Sequence, residues 1–336
     1  MESVLSRVTV IGDGAMGTLC AILAAGRGSA VRLWGRSRER MEALRRRREN
    51  ARYLSGHPFP DNLEPVHDER YALDRPDLVI SAVPCQYMRS IWNRLRDALP
   101  DGVPVVSVSK GIEIDTLATP TQILRQCVPG RPVACLSGPC IAPEVARRLP
   151  TSVVVAADAD DLARRIQDGL STEFFRVYTS DDLVGVETAG AVKNVIALAA
   201  GICDGIGLGA NAKASLVTRG LVEITRLGVA MGARPDTFAG LAGVGDLITT
   251  CHAKVGRNRS AGERIGRGES AEDVVASTPS VIEGIPTTRA VLALAQRYGV
   301  ELPIVSGVAS VLFDGVSPSE AIRALMTRPL RREGVW

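Results

Sequence analysis

Residues 7–17 read Arg7-Val-Thr-Val-Ile-Gly12-Asp-Gly14-Ala-Met-Gly17, and this stretch decides the fold. The β-branched run 7–11 predicts a strand, the apolar pattern over 18–25 predicts a helix, and residues 30–34 predict a second strand. The spacing Gly-x-Gly-x-x-Gly inside such a unit of about 30 residues is the dinucleotide-binding fingerprint in its required context. We therefore predict a dinucleotide site here, the alternative being an ordinary glycine-rich turn.

The three fingerprint glycines have separate predicted roles. Gly12 permits the tight turn, Gly14 lets the backbone approach a pyrophosphate, and Gly17 lets the helix pack close to the strand. The helix then begins with backbone N–H groups that have no partner inside the helix, and these suit phosphate oxygens.

The residues at the end of the second predicted strand indicate whether the chain prefers NAD(H) or NADP(H). An acidic residue about 20 positions after the fingerprint would bind the ribose 2′-hydroxyl of NAD, but here the chain reads Trp34-Gly-Arg36-Ser-Arg38. Arginine suits a 2′-phosphate, so NADP(H) is favoured, while Glu39 keeps NAD(H) open. The arginine run 45–48 is interpreted as a solvated helix face rather than a second site.

The rest of the chain predicts two domains. Residues 1–182 alternate predicted strands (78–83, 103–109, 133–136, 152–156 and 174–178) with predicted helices (87–98, 120–127, 142–148 and 160–170), which indicates a Rossmann-type doubly wound α/β sheet. Residues 183–336 predict helices only, at 185–203, 210–232, 237–249, 258–267, 287–298 and 303–314. We therefore expect a dinucleotide-binding domain followed by an all-helical substrate and catalytic domain.

Composition excludes several classes of function. The 336 residues carry 40 basic and 37 acidic side chains, a net charge of +3, which is too small for a chain that neutralises nucleic-acid phosphates. Seven cysteines without a Cys-x-x-Cys pair and only three histidines predict neither a disulfide framework nor a metal site. With no signal peptide or membrane span expected, we predict a cytoplasmic protein.

Only four of the 40 basic residues are lysine. Because arginine keeps its proton in a protein and a desolvated lysine can release it, each lysine is a candidate for proton transfer, the alternative being an ordinary surface lysine. Lys193 stands with Asn194 in an apolar helical segment, where its ammonium either extends to water or lies in a cleft with a lowered pKa. Asp246 is its plausible partner, in a catalytic or a purely structural pair.

A second group of polar side chains suits a phosphate monoester. Arg257 offers a guanidinium fork, Asn258 an amide and Thr250 a hydroxyl. The alternative is that Asn258 only caps a helix.

Several motifs occur in an order and at spacings that resemble one known family. From about residue 7 to residue 327 the chain resembles the NAD(P)-dependent glycerol-3-phosphate dehydrogenases. Besides the fingerprint, the motifs are Ser109-Lys110-Gly111, Ser137-Gly138-Pro139, Gly190 to Asn194, Asp204 to Asn211, Gly243 to Asp246, Gly256 to Arg259, and Glu283-Gly284.

The resemblance implies hydride transfer between NAD(P)H and dihydroxyacetone phosphate, giving sn-glycerol 3-phosphate for glycerophospholipid synthesis. It implies that Lys193 exchanges the proton of the carbonyl oxygen, that Asp246 orients Lys193, and that Lys110 lies beside substrate and nicotinamide. The further substrate-binding residues it implies are Gly138, Cys140, Asn194, Thr250, Arg257 and Asn258. The cofactor-binding residues it implies are Gly12, Gly14, Ala15, Met16, Gly17, Arg36, Lys110, Ala142, Arg257 and Glu283.

The chain also departs from the family pattern. Ala15 and Met16 replace the usual serine and aromatic residue, Cys140 replaces a serine or threonine, and Gly256 replaces a serine common in bacterial members. These departures leave open a related dehydrogenase for another small phosphorylated or phosphonate compound, or an NADP(H)-binding sensor without turnover. The retained Lys193 and Asp246 argue against the sensor, because a sensor has no need of a proton donor. The alanine- and glycine-rich helices offer faces for a homodimer.

Overall fold

The structure, a computed structural model, describes residues 5–278, 280–330 and 332–333. These described residues form two compact units, the first within Met1–Ser109 and Pro120–Leu183 and the second within Lys110–Thr119 and Val184–Trp336. Residues 110–119 thus group with the helical unit, although the sequence places them in the dinucleotide-binding domain.

The first unit contains one eight-stranded sheet in the order β3-β2-β1-β4-β5-β6-β7-β8, in which every neighbouring pair is parallel except β6 and β7. The strands are β1 (Arg7–Ile11), β2 (Ala30–Trp34), β3 (Leu63–Val66), β4 (Leu78–Ser81), β5 (Val105–Ser107), β6 (Val133–Ser137), β7 (Thr151–Ala157) and β8 (Phe175–Ser180). The helices are α1 (Ala15–Gly26), α2 (Arg38–Arg47), α3 (Glu69–Ala72), α4 (Cys85–Leu95), α5 (Pro120–Cys127), α6 (Ala142–Ala146) and α7 (Asp160–Leu170).

The central strands are buried because they carry apolar side chains on both faces, as parallel sheets covered by helices require. The doubly wound fold class is confirmed. The edge strand β3 was not predicted, since Pro65 interrupts its pattern, and an edge strand tolerates a proline that a central strand would not.

Among its described residues the second unit contains helices, turns and loops but no strand. Its elements are α8 (Leu183–Ile206), α9 (Gly209–Ala230), α10 (Pro235–Phe238), a π-helical turn (Leu241–Gly245), α11 (Asp246–His252), α12 (Arg257–Gly266), α13 (Ala271–Ser277), α14 (Gly284–Tyr298), α15 (Pro303–Phe313) and α16 (Pro318–Met326).

The predicted continuous helix 237–249 is wrong, because the chain instead turns sharply after Phe238. Gly243 packs against the backbone of Phe238 so closely that a Cβ at Gly243 would lie 2.0 Å from the Phe238 carbonyl oxygen. The π-helical turn results, and α11 therefore begins at Asp246. Irregular turns of this kind often accompany functional sites.

Among the described helices, α8 is long and apolar enough to cross a membrane. However, 94% of its most apolar window is buried inside the protein. The helix also carries Lys193 and Asn194, both buried. Burial of this extent is typical of a core helix.

Candidate functional site

The fingerprint turn has the geometry that its glycines predict. Gly12 has φ +111°, and a Cβ there would lie 2.7 Å from the Ala82 carbonyl oxygen. A Cβ on Gly17 would lie 1.9 Å from the Gly12 oxygen, so only glycine lets α1 approach β1 this closely.

The first turn of α1 is open to a phosphate. Gly14 precedes the helix in an extended conformation, no side chain caps the helix, and a Cβ on Gly14 would have no atom within 4 Å. The first backbone N–H groups of α1 have no partner within the helix and carry the positive end of its dipole. These features fit a pyrophosphate.

Two side chains that the sequence did not single out hold this turn in place. The Asp13 carbonyl accepts hydrogen bonds from Asn50 Nδ2 at 2.9 Å and from an Arg40 guanidinium nitrogen at 3.1 Å. Asn50 is fully buried and also donates to Thr18 on α1 at 2.7 Å. No local sequence motif predicts these contacts, because the residues that they join are 27 and 37 positions apart.

The arginines after β2 are divided between two environments. Arg36 is exposed beyond the end of β2, whereas Arg38 pairs with Glu42 at 2.9 Å on the surface of α2. Ser37 caps α2 by accepting a hydrogen bond from the Arg40 amide. Arg36 is therefore the better candidate for a 2′-phosphate.

Met16 and Cys140, two departures from the family pattern, lie against each other. The Met16 Sδ and Cys140 Sγ atoms are 3.8 Å apart. Cys140 follows Gly138, whose φ of +118° turns the chain after β6, and Ala142 begins α6. A change at one sulfur therefore alters the packing of the other.

In the second unit, two lysines converge on one carboxylate. Lys193 Nζ lies 2.7 Å from Asp246 Oδ1, and Lys110 Nζ lies 2.6 Å from Asp246 Oδ2. Lys193 also donates to Thr250 Oγ1 at 2.6 Å. Asp246 is 1% exposed and Lys193 is 5% exposed, whereas Lys110 is more accessible.

Electrostatics favour proton exchange at Lys193. Burial lowers the pKa of Lys193 to about 8; the Asp246 carboxylate opposes this shift, and the nearby Lys110 ammonium adds to it. An amine with such a pKa can both release and accept a proton near neutral pH. Burial also raises the pKa of the neighbouring Cys251 thiol to about 12, so Cys251 stays neutral.

The residues predicted to bind phosphate lie in two places, with Arg257 and Asn258 in the first turn of α12 and Thr250 beside Lys193. Asn258 Nδ2 donates to Asn194 Oδ1 at 2.9 Å, and Asn258 Oδ1 accepts from the Gly284 amide at 2.9 Å. The exposed Arg257 donates to the Val281 carbonyl at 3.0 Å. Asn258 thus ties α12 to α8 and to the start of α14, next to Glu283, and Thr250 lies with Lys193 instead.

Within the described residues, no group of three or more histidine, cysteine or acidic side chains is placed to hold a metal ion. The candidate site residues described above offer ammonium, guanidinium, carboxylate, amide and hydroxyl groups.

Comparisons with known proteins show which family the chain is similar to. The family model described as NAD-dependent glycerol-3-phosphate dehydrogenase N-terminus matches residues 7–163, and the C-terminus model of the same family matches residues 182–323. The glycerol-3-phosphate dehydrogenase [NAD(P)+] of Citrifermentans bemidjiense is 45% identical over 332 residues, covering 98% of this chain and 99% of the relative. That of Nitratidesulfovibrio vulgaris is 46% identical, covering 97% and 100%.

Solved structures give the same result. A crystal structure of glycerol-3-phosphate dehydrogenase from Coxiella burnetii superposes with a TM-score of 0.93 at 33% identity, covering 97% of this chain and 100% of that one. With two family models spanning most of the chain and relatives above 40% identity over nearly its full length, the chain belongs to the NAD-dependent glycerol-3-phosphate dehydrogenase family.

Proposed function

We propose that this protein is an NAD(P)-dependent glycerol-3-phosphate dehydrogenase that interconverts dihydroxyacetone phosphate and sn-glycerol 3-phosphate. The observation that carries the proposal is the buried Lys193–Asp246 pair, with Lys110 on the second oxygen of the carboxylate. A cluster of this kind provides a proton at a defined point, as the reduction of a ketone requires. Family membership supports the same reaction.

In the proposed mechanism Lys193 is the proton donor to the ketone oxygen during reduction. Its ammonium is desolvated, so it loses a proton more readily than an ordinary lysine, and Asp246 and Thr250 fix the position of Nζ. Lys110 adds a positive charge that stabilises the developing alkoxide. The reduced nicotinamide, when bound, supplies the hydride.

We propose that Arg257 and Asn258 bind the substrate phosphate. Arg257 is exposed at the first residue of α12, with its guanidinium held at one nitrogen by the Val281 carbonyl. A guanidinium fork and an amide donor match a phosphate dianion. Gly138 and Cys140 are proposed as additional substrate contacts, and Ala142 and Glu283 as cofactor contacts.

We propose NADP(H) as the preferred cofactor, with NAD(H) as an alternative. The exposed Arg36 at the end of β2 supports this choice, since a 2′-phosphate needs a cation there. The product would supply glycerophospholipid synthesis in the cytoplasm. A homodimer is proposed because Ala210 and Ala214 present small exposed side chains in the first turns of α9.

The test is an absorbance assay at the NADPH band with dihydroxyacetone phosphate and, in parallel, unphosphorylated dihydroxyacetone. We expect rapid oxidation of NADPH with the phosphate ester and little with dihydroxyacetone. Turnover of neither compound, or equal turnover of both, would contradict the proposed substrate. Turnover of a phosphonate analogue alone would favour a specialised dehydrogenase, the alternative that the departures at Met16 and Cys140 leave open.

A further inference from the structure

Helix α12 carries Arg257 and Asn258 in its first turn, and an ion network on the same helix joins it to α8 and α9. Arg259 Nε donates to Asp204 Oδ2 on α8 at 2.7 Å, and Lys213 Nζ on α9 donates to the same carboxylate at 2.8 and 3.0 Å. Arg259 also pairs with Glu263 at 2.9 Å, and Glu263 pairs with Arg267. Arg259 is buried, and its side chain is only 10% exposed.

Two cations, Lys213 and Arg259, share the carboxylate of Asp204. Partial burial of Asp204 raises its pKa, but the hydrogen bonds from Lys213 and Arg259 outweigh burial and lower the pKa overall. The carboxylate therefore stays ionised. A guanidinium and an ammonium that share one carboxylate fix all three side chains more firmly than an exposed pair would.

The backbones of α8 and α12 are also in direct contact. Gly201 and Gly205 on α8 face Gly262 and Gly266 on α12. A Cβ placed on any of these four glycines would lie 2.0 to 2.5 Å from a backbone oxygen of the other helix. Each glycine is four residues from its neighbour on the same helix, so the contact extends over a full turn and sets the distance between the two helices.

The consequence concerns the distance from the proton donor to the phosphate site. Lys193 lies on α8, three helical turns before Asp204, and Arg257 lies two residues before Arg259. A rigid α8–α12 pair therefore keeps the predicted phosphate-binding side chains at a constant distance from Lys193.

We propose that Asp204, Lys213 and Arg259 are positioning residues that hold the first turn of α12 against α8 and thereby set where Arg257 and Asn258 bind the substrate phosphate. None of the three touches substrate in this proposal. The inference rests on the proposed function, because it takes Arg257 and Asn258 as phosphate ligands. In this proposal Lys213, one of the four lysines of the chain, holds Asp204 and does not transfer a proton.

The main variant is Asp204→Asn, which keeps the shape of the side chain and removes its charge. Because a shift of α12 weakens the hydrogen bonds from Arg257 and Asn258 to the charged phosphate, we expect the KM for dihydroxyacetone phosphate to rise roughly tenfold or more. The inhibition constant of inorganic phosphate, measured as a competitor of the substrate, should rise by the same factor. The kcat at saturation and the pH profile set by Lys193 should stay near those of the wild type.

Glu269→Gln is the matched control. The exposed Glu269 lies just after α12 and pairs with Arg264 of that helix, so the variant removes one acidic charge without changing a contact to α8. We expect wild-type kinetics from it. A second pair of variants tests the helix contact: Gly262→Ala should reproduce the KM effect, whereas Gly307→Ala, whose Cβ would meet its nearest neighbour at an ordinary 3.7 Å, should not.

If Asp204→Asn lowers the unfolding temperature but leaves the KM and the phosphate inhibition constant unchanged, the network is only structural and the proposal is wrong. If Asp204→Asn does not fold, Arg259→Lys, which keeps the charge but loses the planar guanidinium, takes its place. We expect the KM for dihydroxyacetone phosphate and the inhibition constant of phosphate to rise in this variant, and unchanged values would contradict the proposal. The proposed function is judged separately, because its failure would appear as no turnover of dihydroxyacetone phosphate by the wild-type protein.

Discussion

The fingerprint turn of the first unit and the lysine cluster of the second unit are built from different parts of the chain. The fingerprint turn depends on backbone shape, with Gly12 at positive φ and Gly17 in contact with the Gly12 carbonyl. The cluster depends on buried charges, with Lys193 and Lys110 on opposite oxygens of Asp246. A backbone site tolerates little change in residue size, whereas a charge cluster tolerates little change in ionisation.

The largest expected effect comes from removing the charge cluster's central amine. Lys193→Ala should lower kcat with dihydroxyacetone phosphate by a factor on the order of 10² to 10⁴, the usual range for a general acid–base group. Affinity for NADPH, measured by fluorescence titration, should stay near that of the wild type because the fingerprint turn is untouched. An unchanged kcat would remove Lys193 from the mechanism.

Local sequence patterns predict the fingerprint turn and single out Lys193, but they do not establish which residue pairs with Lys193. Glycine spacing predicts the fingerprint turn because it reports local backbone geometry, and helices α5 and α7 have the predicted bounds 120–127 and 160–170. Lys193 could be singled out as a polar residue in an apolar segment. Its partner Asp246, 53 residues away, was only a plausible choice until the structure placed the two together.

Local sequence patterns do not predict several tertiary contacts or the break between α10 and α11. The sequence gives no signal that Asn50 would hold the Asp13 carbonyl or that Asp204 would join two cations from different helices. Such contacts depend on tertiary packing. The break between α10 and α11 was missed because the apolar periodicity of 237–249 continues through residues whose glycines allow a turn.

A second prediction concerns the phosphate end of the substrate. Arg257→Lys keeps the positive charge but loses the planar fork, so kcat/KM for dihydroxyacetone phosphate should fall roughly 10- to 150-fold. This factor corresponds to about 1.5–3 kcal/mol, the magnitude of hydrogen bonds to charged groups. Steady-state kinetics with dihydroxyacetone as the comparison substrate measure it. A variant that is silent with both substrates would count against a bidentate phosphate contact.

The third prediction addresses the fingerprint side of the comparison. Arg36→Ala should weaken NADPH binding by about 1.5–3 kcal/mol and leave NADH binding nearly unchanged, since only NADPH carries the 2′-phosphate. Arg38→Ala is the matched control, because Arg38 already pairs with Glu42. Equal losses for both cofactors would show that Arg36 does not read the 2′-phosphate.

The smallest expected effect concerns a buried acid outside both sites. Glu223 accepts hydrogen bonds from the amides of Ile304 and Val305 at the start of α15, and burial raises its pKa from 4.5 to about 7 despite these bonds. The folded state therefore binds this proton more tightly than the unfolded state, so its contribution to stability is lost as the pH rises from about 5 through 7.

Glu223→Gln should flatten the dependence of the free energy of unfolding on pH over this range, as measured by urea titrations at pH 5, 6, 7 and 8. Glu42→Gln is the control, because the hydrogen bond from Arg38 lowers the pKa of the Glu42 carboxyl and it stays ionised over this range. This variant should leave the slope as it is in the wild type. A slope unchanged in Glu223→Gln would mean that another group carries the pH dependence.

The most direct test of the central claim, that Lys193 exchanges the substrate proton, is the pH profile of kcat/KM measured in both directions. Reduction needs the protonated amine and oxidation needs the neutral one, so reduction should decline and oxidation should increase as the pH passes about 8. In Asp246→Asn both transitions should move to lower pH, because the carboxylate that opposes the effect of burial is gone. Profiles without a transition near this pH, or transitions that Asp246→Asn leaves in place, would contradict the account.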